Sequence, residues 1–182
     1  MNKKTVFALV FLFSICLLIV SLGQTKAATQ VNIYAKEITS SEYGFGTSSG
    51  HEASPGTTLT FTSGETVTVT MHNEGQMSHN FAIVSDKSSA SSVVWGAQVG
   101  SSSNPVSPGS SGSVTFTVGS AGNYYYICQV DGHVGLGMWG NVVVNAGVPE
   151  FPIPLMLAFG VMAVTALAAY FSKINLKRQL KV

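Results

Sequence analysis

Cysteine is scarce in this 182-residue chain, and its scarcity restricts the possible roles of the thiols that are present. There are two cysteines, Cys16 and Cys128, and Cys16 lies within an apolar N-terminal run. A single thiol in the rest of the chain cannot form an internal disulfide, so Cys128 needs another explanation. The two alternatives are a metal ligand and a buried, inert thiol.

Basic residues are nearly absent from the middle of the chain, where Lys36 and Lys87 are the only two between Thr29 and Glu150. The same segment contains eight acidic residues, namely Glu37, Glu42, Glu52, Glu65, Glu74, Asp86, Asp131 and Glu150. Its net charge is therefore −6, two minus eight. An acidic segment without a basic patch argues against nucleic-acid binding. Nucleotide chemistry has no support either, because neither G-x-x-x-x-G-K-[ST] nor a strand-linked G-x-G-x-x-G occurs.

Residues 1–28 have the pattern of a secretory signal. Lys3 and Lys4 precede an apolar run of 17 residues from Val6 to Leu22, and small residues follow up to Ala28. This order is typical of a signal peptide that is cleaved near its alanine-rich end. The alternative is an uncleaved N-terminal anchor, since the apolar run approaches spanning length. Both interpretations place the middle of the chain on the extracytoplasmic side of the cell membrane.

Residues 148–182 predict a linker, a transmembrane helix and a basic cytoplasmic tail. Ile153 to Phe171 is a run of 19 residues without a charge, and a helix of that length spans about 28 Å. The basic residues that follow would keep the C-terminus in the cytoplasm. The Val-Pro-Glu-Phe-Pro sequence, the apolar run and the basic tail also resemble archaeal C-terminal sorting signals of the PEF type. That resemblance implies that the tail is removed and the domain attached elsewhere.

Residues 29–147 predict one all-β domain, because short segments of alternating apolar and polar residues are separated by turn signals. The predicted strands are Val31–Ala35, Thr58–Thr62, Glu65–His72, His79–Val84, Ser113–Val118, Asn123–Cys128 and Asn141–Asn145. They predict an antiparallel β-sandwich or barrel with a single core. Glu42–Gly56 is predicted to be a loop. Ser85–Gly112 is a long connection, and we expect its Val93-Val94-Trp95 sequence to fold back onto the sandwich as a short strand or helical turn.

Asn123–Val144 contains the clearest chemical signal in the chain. Four residues separate Cys128 from His133, and four more separate His133 from Met138. A thiolate, an imidazole and a thioether suit copper far better than zinc, magnesium or calcium. The spacing therefore predicts a mononuclear copper site in the loop between two strands.

A second imidazole would complete a site that accepts both Cu(I) and Cu(II). Three other histidines are available. His79 is the candidate, because it follows a turn and opens a predicted strand. His72 lies on the threonine face of its strand, and His51 lies in a Gly/Ser loop, so both are predicted to be surface residues.

These residues resemble the cupredoxin, or type 1 blue copper, family. The resemblance lies in His79-Asn80 before an apolar strand, the tyrosine-rich strand, Cys128-x₄-His133-x₄-Met138 and Gly140-x-Val142-x-Val144. The ligand spacing is similar to that of rusticyanin and sulfocyanin. The resemblance implies a Greek-key β-sandwich or barrel with one type 1 copper, His79, Cys128 and His133 as equatorial ligands and Met138 as the axial ligand. It also implies that the Asn80 side chain braces the segment that carries Cys128.

The resemblance also carries expectations for the surroundings of the site. An edge of His133 would lie near the surface, with Val134, Leu136 and Trp139 as an apolar rim. Packing beneath the loop is the equal alternative for Trp139. Asp131 stands where relatives commonly have proline, and an acid there would favour Cu(II). Two further methionines, Met71 and Met77, are minor alternatives for the axial ligand.

The function implied by the resemblance is single-electron transfer between redox proteins, for example a membrane oxidase or a cytochrome, and not catalysis. Multicopper oxidases share the loop spacing, but their trinuclear cluster uses histidines beside the cysteine, where this chain has Ile127 and Gln129. A copper store, chaperone or sensor is the main alternative. An immunoglobulin-like adhesion domain is a third, and it gives the ligand set no role.

Overall fold

The structure, a computed structural model, describes residues 27–147 and 153–179, and within the second range it describes the side chains of residues 158–170 and 173. The chain divides into two units, one of which is Lys26–Val148 while the other contains the C-terminal helix. Nearly all of the predicted signal segment, 1–28, lies outside the described residues. The linker residues 148–152 and the end of the tail also lie outside them.

The Lys26–Val148 unit is built from strands in two sheets. The strands are β1 (Thr29–Thr39), β2 (Glu42–Gly46), β3 (Gly56–Thr62), β4 (Thr66–Asn73), β5 (Phe81–Val84), β6 (Val93–Val99), β7 (Ser111–Thr117), β8 (Gly122–Ile127) and β9 (Trp139–Asn145). One sheet has the order β2-β1-β4-β7 and the other has the order β3-β9-β8-β5-β6. The prediction of an all-β sandwich is confirmed.

The strand directions differ in part from the prediction. β1 pairs with β4, and β3 pairs with β9, in parallel, whereas the remaining pairs are antiparallel. An entirely antiparallel arrangement is therefore wrong. The physical reason is that the two strands of each parallel pair are not consecutive in the chain. The intervening strands bring the chain back to the end of the sheet at which the first strand began, so the second strand runs in the same direction.

β4 shows how the sequence pattern forms the core. Val67, Val69 and Met71 are fully buried on one face of the strand. On the other face, Thr68 Oγ1 lies 2.8 Å from Thr115 Oγ1 of the neighbouring β7. Burying one such apolar side chain contributes about 1.5–3 kcal/mol. The apolar face of β4 therefore forms part of the hydrophobic core that supports the site.

β2 corrects the prediction of a loop over Glu42–Gly56. Tyr43 and Phe45 are buried, and Phe45 packs edge-on against Phe81 and Tyr126 with centroid distances of 6.3 and 5.3 Å. A β-carbon at Gly44 would lie 2.4 Å from the Ala53 carbonyl oxygen. The glycine thus permits a close strand approach, and the same glycine obscured the alternating pattern in the sequence.

β6 confirms that Val93–Trp95 folds back onto the sandwich as a strand. Trp95 has a φ of 57° and the following Gly96 has a φ of 65°, which is an unusual backbone conformation for a bulky residue. The indole packs against Tyr124 and Phe116 with centroid distances of 4.7 and 6.2 Å. We attribute the unusual backbone to this aromatic packing, which turns the side chain toward the sandwich.

The C-terminal helix, α1, spans Ile153–Gln179. A helix was predicted to begin at Ile153. Within the part of the chain that the structure describes, no helix has both the length and the apolar character that crossing a membrane requires. The membrane span over Ile153–Phe171 stays a prediction, because part of that run lies outside the described side chains.

Candidate metal centre

His79, Cys128 and His133 meet at one end of the β5–β8 pair. β5 and β8 are antiparallel neighbours, with Ala82 opposite Ile127. The start of β5 and the end of β8 therefore lie at the same end of the sheet. His79 precedes β5 by two residues and Cys128 directly follows β8, so the sheet register brings together two residues that are far apart in sequence.

The three side chains form a compact group of donor atoms. The ligand atoms of His79, Cys128 and His133 all lie within 4.8 Å of one another. The two Nδ1 atoms are 3.2 Å apart, and Cys128 Sγ is 3.4 Å from His133 Nδ1. These separations are short enough for both nitrogens to lie roughly 2 Å from a single ion. Two imidazoles and a thiolate at such distances fit the donor set of a type 1 copper.

The loop that carries His133 is closed by its own backbone. Cys128 N donates to the Met138 carbonyl at 3.1 Å, and Met138 N donates to the His133 carbonyl at 3.0 Å. Gly132 and Gly137 have φ values of 79° and 91°, a region that glycine enters without steric cost. The loop therefore brings Met138, which is fully buried, back beside Cys128. The role of Met138 as the axial ligand stays a prediction.

Asn80 contacts the segment that carries Cys128. Its backbone N–H points at Cys128 Sγ, 3.4 Å away. Its side-chain oxygen accepts a hydrogen bond of 2.6 Å from Gln129 N. Hydrogen bonds to the cysteine sulfur are among the contacts that set the properties of such a site. Asn80 thus joins the segment before β5 to the sulfur and to the backbone of the segment after β8.

The Gln129 side chain extends this network and was not singled out from the sequence. Gln129 Oε1 accepts hydrogen bonds from Asn80 Nδ2 at 2.8 Å and from Gln98 Nε2 at 3.0 Å. Gln129 Nε2 donates to the Ala90 carbonyl. The network fastens the Cys128 segment to β6 and to the loop before it.

Glu37 is the second residue near the site that sequence reasoning missed. It lies on β1, in the sheet opposite to β5 and β8, and its Oε1 accepts a hydrogen bond from His79 Nε2 at 2.8 Å. The carboxylate also accepts backbone N–H bonds from Gln76 at 2.8 Å and Met77 at 3.1 Å. Glu37 lies two residues beyond the predicted strand Val31–Ala35, in phase with the buried Ile33 and Ala35. The alternation therefore places it on the inward face, a signal that was missed because the predicted strand ended at Ala35.

Burial disfavours the charged forms of all three donors. It raises the pKa of the Cys128 thiol to about 11, and it lowers the pKa of His79 and of His133. Both imidazoles are therefore neutral near neutral pH, each with one nitrogen lone pair available. The thiol gives up its proton when a metal binds, so metal binding at this site is coupled to pH.

The other histidines lie away from the group, as predicted. His51 is exposed. His72 lies 2.9 Å from Ser111 Oγ and 3.1 Å from Asn32 Oδ1, and it stacks on Tyr34. These contacts use both of its ring nitrogens in the surface of the sheet.

The alternative axial methionines and the predicted rim are placed as follows. Met71 is buried in β4, and Met77 is 46% exposed, with the Tyr43 hydroxyl donating to its sulfur at 3.1 Å.

The residues of the predicted apolar rim, Val134, Leu136 and Trp139, are half-buried. Trp139 packs against Tyr125, and Lys87 Nζ lies 3.5 Å from the indole centroid. Asp131 is exposed.

A match to a protein-family model agrees with this donor set. The family model for copper binding proteins of the plastocyanin/azurin family matches residues 38–145. A search of curated proteins found no match. Among solved structures, reduced auracyanin from Roseiflexus castenholzii is 22% identical, with a TM-score of 0.48, and the match covers 66% of this chain and 99% of auracyanin.

Two further solved structures match the chain. The multicopper oxidase mgLAC is 22% identical, with a TM-score of 0.51, and the match covers 68% of this chain but 41% of the oxidase. A rusticyanin variant is 27% identical, with a TM-score of 0.47, over 65% of this chain and 80% of rusticyanin. The family match covers more than half of the chain and contains every residue of the His79–Cys128–His133 group. The chain therefore belongs to the plastocyanin/azurin family of copper-binding proteins, and its buried donors support a single type 1 copper.

Proposed function

We propose that this protein is an electron carrier that passes single electrons between redox proteins through one type 1 copper held by His79, Cys128, His133 and Met138. The observation that carries the proposal is the buried group of two imidazoles and one thiol within 4.8 Å. When bound there, copper supplies a one-electron Cu(I)/Cu(II) couple. The protein's part is to hold the donors so that little moves when the charge changes.

The surroundings of the donors support this role. His79 and Cys128 are fully inaccessible to solvent and His133 is 3% exposed, so water is excluded from all three. Asn80 and the closed loop fix the sulfur and the His133 ring. A rigid, dry donor set limits the rearrangement that accompanies a change in oxidation state. The small exposed edge of His133 offers a route for electrons to a partner.

An enzymatic role is not proposed. Within the described ranges, His79, Cys128 and His133 form the one group of three or more potential metal ligands that is found. The residues beside Cys128 are Ile127 and Gln129, so the chain lacks the flanking histidines expected for a trinuclear copper cluster.

We also propose that the copper domain is exported and tethered to the cell membrane, facing the extracytoplasmic side. The basic start and apolar run of residues 1–28 support export. The charge-free run from Ile153 to Phe171, followed by Lys173, Lys177, Arg178 and Lys181, supports a C-terminal tether. The mass of the mature protein and its recovery in the membrane fraction test both segments. A full-length protein in the soluble cytoplasmic fraction would contradict the tether and the export.

The test of electron transfer is a redox cycle of the copper-loaded protein in the presence of a Cu(I) chelator. A carrier takes up one electron per copper, retains the metal and is reoxidised without loss over repeated cycles. A store or chaperone would release Cu(I) to the chelator after the first reduction, and that result would contradict the proposal. His72→Ala is the matched histidine control that should cycle normally, whereas His133→Ala should not. Kinetics with candidate membrane oxidases and cytochromes would then identify partners.

A further inference from the structure

A single carboxylate from the opposite sheet holds the segment that positions His79. Glu37 Oε1 lies 2.8 Å from His79 Nε2 and accepts from Met77 N at 3.1 Å. Glu37 Oε2 accepts from Gln76 N at 2.8 Å. Three donors from one short segment, residues 76–79, therefore converge on the two oxygens of one side chain. This arrangement fixes both the backbone before His79 and the ring itself.

The contact decides which nitrogen of the ring faces the copper site. A carboxylate accepts hydrogen bonds and cannot donate them, so the proton of His79 is on Nε2. Nδ1 is then left with its lone pair, and it points toward His133 Nδ1 at 3.2 Å. The hydrogen bond made by one ring nitrogen sets the state of the other. Glu37 thereby selects the tautomer that can bind metal through Nδ1.

The space for this carboxylate depends on Gly75. A β-carbon at position 75 would lie 2.7 and 3.0 Å from the two Glu37 oxygens and 3.0 Å from His79 Nε2. The Gly75 backbone is held in place by a hydrogen bond of 3.0 Å to Asn73 Oδ1. Any larger residue would compete with the carboxylate for the same position. The glycine and the glutamate therefore act as one unit.

Glu37 acts only as an acceptor in these contacts. Its two oxygens take the backbone N–H groups of Gln76 and Met77 and the ring N–H of His79, an arrangement that suits an ionised carboxylate. Its side chain is 18% exposed, so water screens the charge only in part. A carboxylate that accepts a hydrogen bond from the distal N–H of an imidazole makes the other ring nitrogen a stronger electron donor to a metal. A stronger donor favours Cu(II) over Cu(I).

We propose that Glu37 is a positioning residue that orients His79 for copper and, through the Glu37–His79 hydrogen bond, lowers the reduction potential of the site. This inference rests on the proposed electron-transfer function. It distinguishes Glu37 from the other acidic residues of the domain, which lie outside the hydrogen bonds of the ligands. It also assigns a role to Gly75, as the residue that leaves room for the carboxylate.

The first test measures the reduction potential of the copper-loaded full-length chain. Glu37→Gln is expected to shift the equilibrium toward Cu(I) by roughly tenfold or more, a rise of about 59 mV for a one-electron couple. Glu74→Gln is the matched control, since it removes an exposed carboxylate that bonds to Ser49 Oγ. We expect that control to shift the equilibrium by less than about threefold, because solvent screens an exposed charge. Equal shifts in the two variants would overturn the proposal.

Gly75→Ala separates the hydrogen bond from the charge. The added methyl group displaces the Glu37 carboxylate but leaves the residue in the protein. The potential is therefore expected to rise in the same direction as in Glu37→Gln, with the visible spectrum of the copper retained. An unchanged potential in Gly75→Ala, with a measured loss of the Glu37–His79 contact, would overturn the role of the hydrogen bond.

A second readout does not depend on redox activity. In NMR spectra of the metal-free protein, the Nε2 proton of His79 should be present and should exchange slowly with solvent. It should exchange rapidly in Gly75→Ala and Glu37→Ala. Failure of the wild-type protein to cycle reversibly would refute the electron-carrier function, while this experiment would still decide the role of Glu37. An Nδ1-protonated His79 in the wild-type protein would overturn the proposal.

Discussion

The two imidazoles of the copper site are held by different kinds of structure. His79 comes from the strand side, where a bridge to Val106 and the carboxylate of Glu37 tie it to the rest of the sandwich. His133 comes from the loop side, where the closing hydrogen bonds lie within residues 128–138, and the edge of Tyr43 packs against its ring. We infer that changes on the strand side cost folding free energy as well as copper binding. Changes on the loop side should alter mainly the copper.

The largest expected effect on stability is that of Asn73→Ala, on the strand side. Asn73 is 2% exposed. It donates to the Met77 and Val106 carbonyls, both at 2.8 Å, and accepts from Gly75 N. Leaving these buried groups without partners should lower the free energy of unfolding by about 3 kcal/mol. Urea unfolding of the metal-free protein measures it.

Gln76→Ala is the control for that experiment, because the Gln76 side chain is exposed and only its backbone contacts Glu37. It should change the free energy of unfolding by no more than about 0.5 kcal/mol. Similar losses of unfolding free energy in the two variants would show that the Asn73 hydrogen bonds do not stabilise the turn before His79. That result would contradict the inference that the strand side contributes to folding stability.

The next effect is that of Lys36→Met on the same strand as Glu37. Lys36 Nζ lies 2.7 Å from Glu52 Oε2, and the Glu52 side chain is 1% exposed. Burial raises the pKa of Glu52, but the Lys36 ammonium, together with the backbone N–H groups of Glu52 and Gly50, outweighs that effect and holds the pKa below the ordinary value of 4.5. Removing the lysine leaves a buried carboxylate unpaired and should cost about 2 kcal/mol at neutral pH.

The pH dependence of this pair follows from the direction of the Glu52 shift. A lowered pKa in the folded state stabilises the protein above the unfolded-state pKa, and that stabilisation is lost as the pH falls through the folded-state value. The difference between wild type and Lys36→Met should therefore shrink when unfolding is measured well below pH 4.5 rather than at neutral pH. A difference that does not change with pH would contradict the ion pair.

Met138→Leu tests the loop side with little change in volume. The substitution should alter the free energy of unfolding by less than about 1.5 kcal/mol. It removes a thioether, and an axial thioether tunes the potential of a type 1 copper. We expect the reduction potential to rise, because loss of a donor disfavours Cu(II). An unchanged potential in a redox titration would contradict the axial assignment of Met138.

The smallest effect is expected for Asp131→Asn. Asp131 is an exposed acid on the copper loop, and the sequence suggested that it favours Cu(II). Because solvent screens exposed charges, its removal should raise the potential by less than Glu37→Gln does. Potentials of the two variants, measured under the same conditions, rank the two carboxylates. A larger rise of the reduction potential in Asp131→Asn than in Glu37→Gln would contradict this order.

The loop side was readable from the sequence, because the hydrogen bonds that close the loop are local. Cys128, His133 and Met138 are close in sequence, and two glycines allow the turn between them. The all-β class was also readable, since the alternating pattern of a strand such as β4 depends only on which residues are apolar. These features need no knowledge of which strands are neighbours.

The strand side was readable only in part. His79 can be identified among the three histidines outside the loop because it follows a turn and opens a strand, whereas the partner of its ring, Glu37, lies 42 residues away. The contact exists because two sheets pack face to face, and a strand pattern does not report what lies across the core. The same reason applies to β2 and to the parallel pairs, since glycines hid the first and strand order determined the second.

The most direct test of the central claim is the visible absorption spectrum of the Cu(II)-loaded protein, recorded beside that of Cys128→Ala. The wild-type protein should show an intense thiolate-to-copper band. The band should disappear on one-electron reduction, return on oxidation and be absent from the variant. A wild-type protein that binds one copper per chain and remains colourless would contradict the account.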